Sequence, residues 1–232
     1  MFYNKILTLK ILEKNNIKVG NWTYANNKKD LIKKIKIFFK KRNIIVVKPS
    51  VSRGGRNVFT ISKKNKKPFQ NPNGRETTLG FNNFKKQYLK KLKNSYPLII
   101  MEKLFEPTYD FDMLCKNGEL VNGISRRRLV PSMPNEGHII EKINKIYSIG
   151  KKIAKIFNLT WLYDCDFMLD KNKNPVLIEI NPRMSGSAII SSYAGLNLFD
   201  NLICIYKNKT FRKFKINEKK IIIPYKQLHN IK

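Results

Sequence analysis

The sequence predicts an α+β fold. Segments with apolar residues at helical spacing are mixed with short strand-like segments, and several of the latter are joined by short polar turns. The 232 residues, 42% of them hydrophobic and 11% aromatic, are enough to bury a core in one large domain or two small ones. No run of about 18 apolar residues occurs, so we expect no membrane-spanning helix.

The first part of the chain predicts two helices followed by a hairpin. Apolar residues recur at helical spacing over residues 5–15 and 29–42. The segment NIIVVKP predicts a buried strand, SVSRGGR a glycine-rich loop and NVFTIS a return strand. Lys48 therefore ends a buried strand, just before a loop whose backbone N–H groups can contact phosphates. By itself this is a weak signal, because many hairpins have Gly-Gly tips.

The remaining elements follow from the same rules. Residues 63–80 are polar and turn-rich, and we interpret them as an exposed excursion, followed by a helix over residues 81–92. The segments PLIIMEKLF, YDFDMLCKNGELVNGISRRR and WLYDCDFMLDKNKNPVLIEIN predict at least five further strands. Residues 138–157 predict a longer helix with His138 at its head, where we interpret His138 as a local contact. Residues 185–205 are helical or mixed, and KIIIPY in the basic tail is strand-like.

The net charge of +31 has two interpretations. One is an anionic partner, either nucleic acid or a membrane surface. The other is a compositional bias, because lysine, asparagine and isoleucine are all abundant and arginine is scarce beside lysine. The spread of charge along the whole chain favours the second interpretation over a nucleic-acid partner. Three scattered cysteines suit a reducing, cytoplasmic compartment and match no zinc motif.

The last strand-like segment contains an acidic hairpin. If residues 171–174 form its turn, Asp166 lies directly opposite Glu179, and alternation places Asn181 on the same face as Glu179. Facing carboxylates repel unless a cation lies between them, and an all-oxygen ligand set suits Mg²⁺ better than zinc. The alternative is that Asp166 faces solvent and Glu179 pairs with Arg183 or a lysine. The spacing alone leaves both interpretations open.

Together these features resemble the ATP-grasp superfamily over nearly the whole chain. That family's order is a helix-borne lysine, a lysine-ended strand with a glycine-rich loop, an adenine-binding hinge, and a metal site ending in E-x-N-P-R. This chain supplies the same order as Lys5, VVKPSVSRGG, IIMEKLFEPTYDFDML and DFMLDKNKNPVLIEINPRMSG. The EINPR-x-SG ending is most similar to carbamoyl-phosphate-synthase-like ligases.

The resemblance implies a fold of two α+β subdomains that clamp ATP between them. We expect an N-terminal part, residues 1–104, that includes a small glycine-loop subdomain of about residues 44–100. Residues 105–232 would form the C-terminal subdomain with the metal site. The family commonly carries a Rossmann-like domain before the position of Lys5. The resemblance therefore implies that the chain is a fragment, half of a split enzyme, or a member that recruits this domain from a partner chain.

The resemblance also implies roles for particular residues. Lys5 and Lys48 would contact the ATP phosphates, with Arg183 and Arg128 as cations near the transferred phosphate. The other expected nucleotide contacts are Ser52, Gly54 and Gly55 in the loop over the phosphates, and Met101, Glu102, Lys103 and Leu104 in the adenine hinge. The chain reads EPTY where the family's ribose-binding acid is usual, so either Glu106 takes the place of that acid or ribose is held less tightly. Asp166, Glu179 and Asn181 would bind Mg²⁺, or Mn²⁺ in its place.

The implied chemistry is ATP-dependent ligation in the cytoplasm. A small-molecule carboxylate becomes an acyl phosphate, and an amine, a thiol or another nucleophile displaces the phosphate; homo-oligomers are compatible with this activity. Two alternatives stay open at this point. One is an ATP-binding or regulatory subunit that needs a partner chain for activity, and the other is a basic nucleic-acid-binding protein. The sequence does not identify the substrate, because acceptor pockets come from variable loops.

Overall fold

The computed structural model describes residues 2–52, 56–71 and 76–225. The chain divides into two compact units, Met1–Phe105 and Glu106–Lys232. Within the described residues, no helix is long and apolar enough to cross a membrane. Each unit contains one six-stranded sheet with helices packed on it, which is the α+β composition that the sequence predicts.

Unit 1 (Met1–Phe105) is built on a mixed sheet. Its elements are α1 (Lys5–Lys14), β1 (Trp22–Ala25), α2 (Lys28–Lys41), β2 (Ile44–Pro49), β3 (Val58–Ser62), β4 (Phe69–Gln70), β5 (Glu76–Gly80), α3 (Phe81–Asn83), a π-helical turn (Phe84–Tyr88) and β6 (Leu98–Glu102). The strand order is β1-β6-β2-β3-β5-β4. The predicted β2–β3 hairpin is confirmed, with Val47 paired to Phe59 in an antiparallel register.

The two faces of the unit 1 sheet carry different helices. Ile45 and Val47 of β2 point to the face covered by α2 and by the helical segment that begins at Phe81. Val46, the residue between them, packs with α1 on the other face. This is the alternation expected of a strand that is buried on both sides.

The interpretation of residues 63–80 as an exposed excursion is partly wrong. The lysines at its start are exposed, but β5 pairs in parallel with β3, and Leu79 is fully buried in the core. The sequence conceals this strand because ETTLG offers a single large apolar residue, so its alternation is too short to recognise. Parallel pairing to β3, rather than local periodicity, makes β5 a strand.

Unit 2 (Glu106–Lys232) is built on a second sheet. Its elements are β7 (Phe105–Lys116), which begins at the boundary between the units, β8 (Glu119–Arg128), β9 (His138–Ile140), α4 (Asn144–Ile156), β10 (Trp161–Leu169), β11 (Pro175–Asn181), α5 (Ile189–Tyr193), α6 (Leu198–Tyr206) and β12 (Ile221–Ile222). The strand order is β11-β10-β7-β8-β9-β12. Because β7 and β10 are neighbours in this order, residues separated by about fifty positions in the sequence come together.

The predicted helix over residues 138–157 is wrong at its start. His138 lies in β9, opposite Arg128 of β8, and the helix begins six residues later at Asn144. Gly137 precedes this strand with φ +111°, a left-handed backbone conformation that favours glycine. The two isoleucines that suggested a helix here pair across the sheet instead, because a place beside β8 buries Ile140.

Candidate metal centre and nucleotide-contact residues

The acidic hairpin β10–β11 has the predicted facing pair but a different turn. Asp166 lies opposite Glu179 and Asp164 opposite Asn181, so the predicted register at this point is confirmed. The first pair beside the turn, however, is Leu169 with Pro175, not Asp170 with Pro175 as a four-residue turn requires. The register at the turn and the register at the acidic pair therefore differ by one residue.

A β-bulge accounts for this difference. Phe167 pairs with Leu177 and Asp166 with Glu179, which leaves Ile178 as an extra residue in β11. If the register of the turn continued without the bulge, Glu179 would lie opposite Cys165, on the other face of the sheet. The bulge thus brings Glu179 to the face that carries Asp166.

The turn is held by the side chain of Asp170. Its Oδ1 atom accepts hydrogen bonds from the backbone N–H groups of Asn172 and Asn174, each at 2.8 Å. The backbone N–H of Asp170 donates to the carbonyl oxygen of Asn174 at 2.9 Å. Lys173 takes a left-handed conformation with φ +60°. These contacts set a five-residue turn, which a count of flanking residues did not predict.

Carboxylates from two adjacent strands meet on this face. One carboxylate oxygen from each of Asp110, Asp164 and Asp166 lies within 4.8 Å of the other two. Asp110 is fully buried, Asp164 is buried and Asp166 is partly exposed. Sequence reasoning missed Asp110 and Asp164 as members of the site. Two D-x-D pairs in predicted strands were the signal that could have found them, since residues i and i+2 of a strand share a face.

Arg128 bridges two of these carboxylates. Its guanidinium is held by both oxygens of Asp110, and its Nη2 donates to Asp166 Oδ1 at 2.7 Å. His138 Nε2 lies 2.6 Å from the other side of Asp110, at Oδ2. Asp166 is thus partly exposed and paired with Arg128, and the alternative in which Glu179 pairs with Arg183 or a lysine stays open.

A second arginine lies deeper in the unit. Arg126 and Asp112 are both fully buried, with Nε donating to Asp112 Oδ2 at 3.0 Å. Ser191 Oγ donates to the same oxygen at 2.5 Å, and Arg126 Nη1 donates to Ser187 Oγ at 3.1 Å. This buried pair fixes α5 and the preceding segment to the sheet, and breaking it would leave an uncompensated charge in the core.

Among the described residues, this face carries more carboxylates than guanidinium groups that could neutralise them. Burial raises the pKa of Asp164 well above its ordinary value, and the negative charges of Asp112 and Asp110 raise it further. Burial also raises the pKa of Asp166, although Arg128 opposes this shift. One oxygen of Asp164, Oδ1, is buried without a hydrogen-bond partner in the described part of the chain. An all-oxygen site with an excess of negative charge fits a divalent cation such as Mg²⁺.

Asn181 is oriented by this acidic cluster. Its Nδ2 donates to Asp164 Oδ2 at 3.2 Å. This hydrogen bond uses the amide nitrogen and does not use the amide oxygen. Asn181 and Glu179 are partly exposed. Asp166, Glu179 and Asn181 thus lie on one sheet face, and their role as metal ligands stays a prediction. Arg183 is exposed, with Nη1 donating to the carbonyl oxygen of Met184 at 2.7 Å.

The predicted phosphate-contacting lysines are neighbours in unit 1. Lys48 is 7% exposed and pairs across the sheet with Ile99, whose side chain packs with α1. The backbone N–H of Lys5, in the first turn of α1, donates to Ser50 at 3.0 Å, and its Nζ donates to the carbonyl oxygen of Ser52 at 2.8 Å. The start of α1 is therefore fastened to the end of β2. Gly54 and Gly55 lie outside the described residues.

The predicted adenine hinge spans the end of β6 and the start of β7. Lys103 and Leu104 are the two residues between these strands, and Met101 is buried against α1. The carboxylate of Glu102 accepts hydrogen bonds from Asn21 and from Arg42, the latter at 3.0 Å from Nη2. Glu106 is exposed. The hydrogen bonds of the Glu102 side chain thus lie within unit 1, and the expected adenine contacts stay a prediction.

Comparison with protein families finds a match over more than half of the chain. The model of the family described as "ATP-grasp in the biosynthetic pathway with Ter operon" matches residues 94–228. No curated protein matches the sequence at a significant level.

Several solved structures share the fold. The N5-carboxyaminoimidazole synthetase of Staphylococcus aureus in complex with ADP is 14% identical, with a TM-score of 0.64, over 95% of this chain and 53% of that one. The biotin carboxylase domain of the 2-oxoglutarate carboxylase of Hydrogenobacter thermophilus, in complex with MgADP, ADP and bicarbonate, is 15% identical, with a TM-score of 0.67, over 91% and 47%. The chain thus spans about half the length of the structures it matches.

Proposed function

Because the chain belongs to the ATP-grasp family, we propose that it is a Mg·ATP-dependent ligase that activates a carboxylate as an acyl phosphate. The observation that carries the proposal is the bulged β10–β11 hairpin, which brings Asp166, Glu179 and Asn181 to one face beside a buried excess of negative charge. An isolated excess of this kind opposes folding, so its presence is best explained by a cation that binds there in the working protein.

Asp166, Glu179 and Asn181 would hold Mg²⁺ through carboxylate and amide oxygens. When bound, the ion would neutralise charge on the phosphates of ATP. The residues around it have positioning tasks: Asp164 accepts from Asn181 Nδ2 and thereby orients its amide, and Arg128 holds Asp166. Asp110 holds Arg128 in turn, and it thereby helps to position Asp166.

In unit 1, Lys5 and Lys48 would contact the phosphates. Both lie on the sheet face that carries α1, and the contacts of Lys5 with Ser50 and Ser52 hold the start of the helix beside the end of β2. The backbone at Lys103 and Leu104 would hold adenine. The protein's contribution to catalysis would be positioning and electrostatic stabilisation, without a nucleophilic side chain.

The proposed reaction has two steps. A carboxylate oxygen attacks the γ-phosphorus of ATP, a new O–P bond forms, and the bond to the ADP oxygen breaks. An amine or another nucleophile then attacks the acyl carbon, loses its proton, and inorganic phosphate leaves with the C–O bond electrons. Biotin carboxylase and N5-carboxyaminoimidazole synthetase share the fold of this chain.

The test is thermal unfolding of the full chain with millimolar ATP, in the presence of Mg²⁺ and, separately, of EDTA. We expect Mg·ATP to raise Tm by several degrees, since a ligand at 100 times its Kd stabilises by about 2.7 kcal/mol. Glu179→Gln and Lys48→Met should each remove most of the shift. Glu119→Gln, at an exposed strand end in unit 2, is the matched control and should keep it.

Three results would count against the proposal. They are the absence of any shift with Mg·ATP, an equal shift in EDTA, and a full shift in the Glu179→Gln variant. If the shift is present, ATP hydrolysis screened against amino acids and small carboxylates identifies the acceptor class.

A further inference from the structure

Basic residues occur along the whole chain, but the net positive charge is concentrated in unit 1. Residues 1–105 contain 26 of the 47 lysines and arginines but only 4 of the 16 acidic residues, whereas residues 106–232 contain 21 and 12. A compositional bias towards lysine would act on both units alike, and it does not explain why acidic residues are three times as numerous in unit 2. The depletion of acids in unit 1 therefore requires a separate explanation.

The charge of unit 1 lies largely on three segments. These are α2, the connection after β3 at residues 63–67, and residues 81–93, which are helical from Phe81 to Tyr88 and form turns after that. Their exposed lysines are Lys28, Lys29, Lys33, Lys36, Lys40, Lys41, Lys63, Lys64, Lys66, Lys67, Lys85, Lys86, Lys90, Lys91 and Lys93. We refer to this set as the basic helical face.

The three segments adjoin one another. The backbone N–H of Lys63 donates to the carbonyl oxygen of Asn43, just after α2, at 2.8 Å. Asn83 Nδ2 donates to the carbonyl oxygen of Lys66, also at 2.8 Å. The rings of Phe39, on α2, and Phe81 pack edge to face with centroids 5.5 Å apart. The exposed lysines of the three segments thus lie on adjoining parts of unit 1.

This surface is opposite the predicted nucleotide-contacting residues. The α2 helix and the 81–93 segment cover the sheet face to which Ile45 and Val47 point. Lys5 and Lys48 lie on the other face, with α1. The basic helical face is therefore separate from any phosphate contacts that Lys5 and Lys48 make.

Acidic residues of the same three segments hardly neutralise the positive charge of this surface. Asp30 is the single acidic residue within residues 28–41, 63–67 and 81–93. Its carboxylate is bound to Lys34, at 2.8 Å from Nζ. Fifteen exposed ammonium groups on one surface repel one another, and a polyanion would relieve that repulsion.

The side chains on this surface favour carboxylates over nucleic acid. Arg42, the arginine at the end of α2, stacks on Phe38 at 5.4 Å and is bound to Glu102. The rings of Phe81 and Tyr88, which could stack on bases, are covered by the ammonium groups of lysines from the same segment, at 4.9 and 5.5 Å. Single-strand nucleic-acid sites instead present free aromatic faces on which bases stack.

We propose that the basic helical face of unit 1 is a docking surface for an acid-rich polypeptide segment. The lysines attract a run of aspartate and glutamate side chains as point charges, without a requirement for one geometry. The attraction is long-ranged and decreases with ionic strength. This function is independent of the proposed ligase activity.

The test is binding of a fluorescent polyglutamate peptide of about 20 residues to the full chain, followed by anisotropy over a range of salt concentrations. The variant K33E/K36E/K40E reverses three charges on the outer side of α2. The control K151E/K152E/K155E reverses three exposed charges on α4 in unit 2, so both variants lower the net charge equally. We expect the α2 variant to weaken binding at least about tenfold and the control no more than about threefold.

Two further measurements complete the test. An oligonucleotide of equal charge should bind more weakly than polyglutamate at the same salt concentration. Both variants should keep the Mg·ATP shift of the wild type, since neither changes a predicted nucleotide contact. Loss of that shift in the wild type would overturn the ligase proposal and leave this one standing.

The docking proposal fails under any of three results. Equal weakening by the α2 and α4 variants would mean that net charge alone drives binding. Tighter binding of the oligonucleotide would make nucleic acid the partner. Absence of polyglutamate binding at about 0.1 M salt would remove the surface as a polyanion site.

Discussion

At the residue scale, Asp164 is a buried carboxylate that opposes folding when no cation is bound. Burial and the neighbouring Asp112 and Asp110 raise its pKa, so stability falls as pH rises from about 4 towards that raised pKa. Asp164→Asn removes the charge and keeps an oxygen to accept from Asn181. In EDTA at pH 7.5 we expect Tm to rise by about 3 °C.

The pH dependence distinguishes this cause from a change in packing. The gain should be smaller at pH 5.0, where more of the wild-type Asp164 is protonated. Glu119→Gln, which changes an exposed carboxylate, should shift Tm little at either pH. A lower Tm for Asp164→Asn at pH 7.5 would contradict the prediction.

His138 affects the pH dependence of folding stability in the opposite direction to Asp164. Burial lowers its pKa, and the positive charge of Arg126 lowers it further, although Asp110 opposes the shift. The folded state thus binds a proton at His138 less readily than the unfolded chain, which takes up a proton below about pH 6.5. Stability therefore falls as pH drops through this window, by at most about 1.4 kcal/mol per pH unit for one group.

His138→Gln should remove this dependence and keep a donor towards Asp110. We expect the decrease in Tm between pH 7.5 and 5.5 to be smaller in the variant than in the wild type. The chain has only two histidines, and the other, His229, lies outside the described residues. An identical decrease in both proteins would show that His138 is not the titrating group.

At the element scale, the bulge in β11 decides which face carries the predicted ligands. Glu179 and Asn181 reach the face of Asp166 and Asp164 because Ile178 is an extra residue. The register predicted from the sequence also pairs Asp166 with Glu179, but with a four-residue turn and no bulge. The longer turn shifts the register by one residue, and the extra residue in β11 shifts it back before Glu179.

The start of α1 is the second element on which the proposed site depends. Asn4 caps the helix by accepting from the backbone N–H groups of Ile6 and Leu7, at 3.1 and 3.2 Å. Asn4→Ala should lower the free energy of unfolding by about 1 kcal/mol. It should also reduce the Mg·ATP shift, because the cap sets the position of Lys5 beside Ser50.

The conservative change provides the control. Asn4→Ser keeps an oxygen that can accept from the same N–H groups, so stability and the Mg·ATP shift should both return towards wild type. The link between the cap and Lys5 would be refuted if Asn4→Ala lost stability but kept an unchanged affinity for Mg·ATP.

At the scale of the whole molecule, the net charge of +31 sets the response to salt. Repulsion among like charges destabilises the compact state, and the screening length falls from about 10 Å at 0.1 M salt to about 3 Å at 1 M. We therefore expect Tm to rise by several degrees between these concentrations of NaCl. A constant or falling Tm would mean that attractive ion pairs, rather than repulsion, dominate the electrostatics.

Much of each unit was predictable from local patterns. The helices α1 and α2, the β2–β3 hairpin and the facing of Asp166 and Glu179 all follow from spacing within about 20 residues. The errors at β5 and at β9, which was predicted as the start of a helix, share a physical cause. Both are short strands whose pairing with a distant strand outweighs the local preference of their residues.

By itself, the sequence determined which residues share a face of a strand, because side chains alternate with a period of two and the register of a short hairpin is local. The sequence therefore predicts that Asp166 and Glu179 face each other. Only the tertiary structure decided that Asp110 and Arg128 join them. Strands β7 and β8 lie near β10 because of the order of strands in the sheet. This order depends on how the whole unit buries its apolar surface. Periodicity along one strand carries no information about its neighbour.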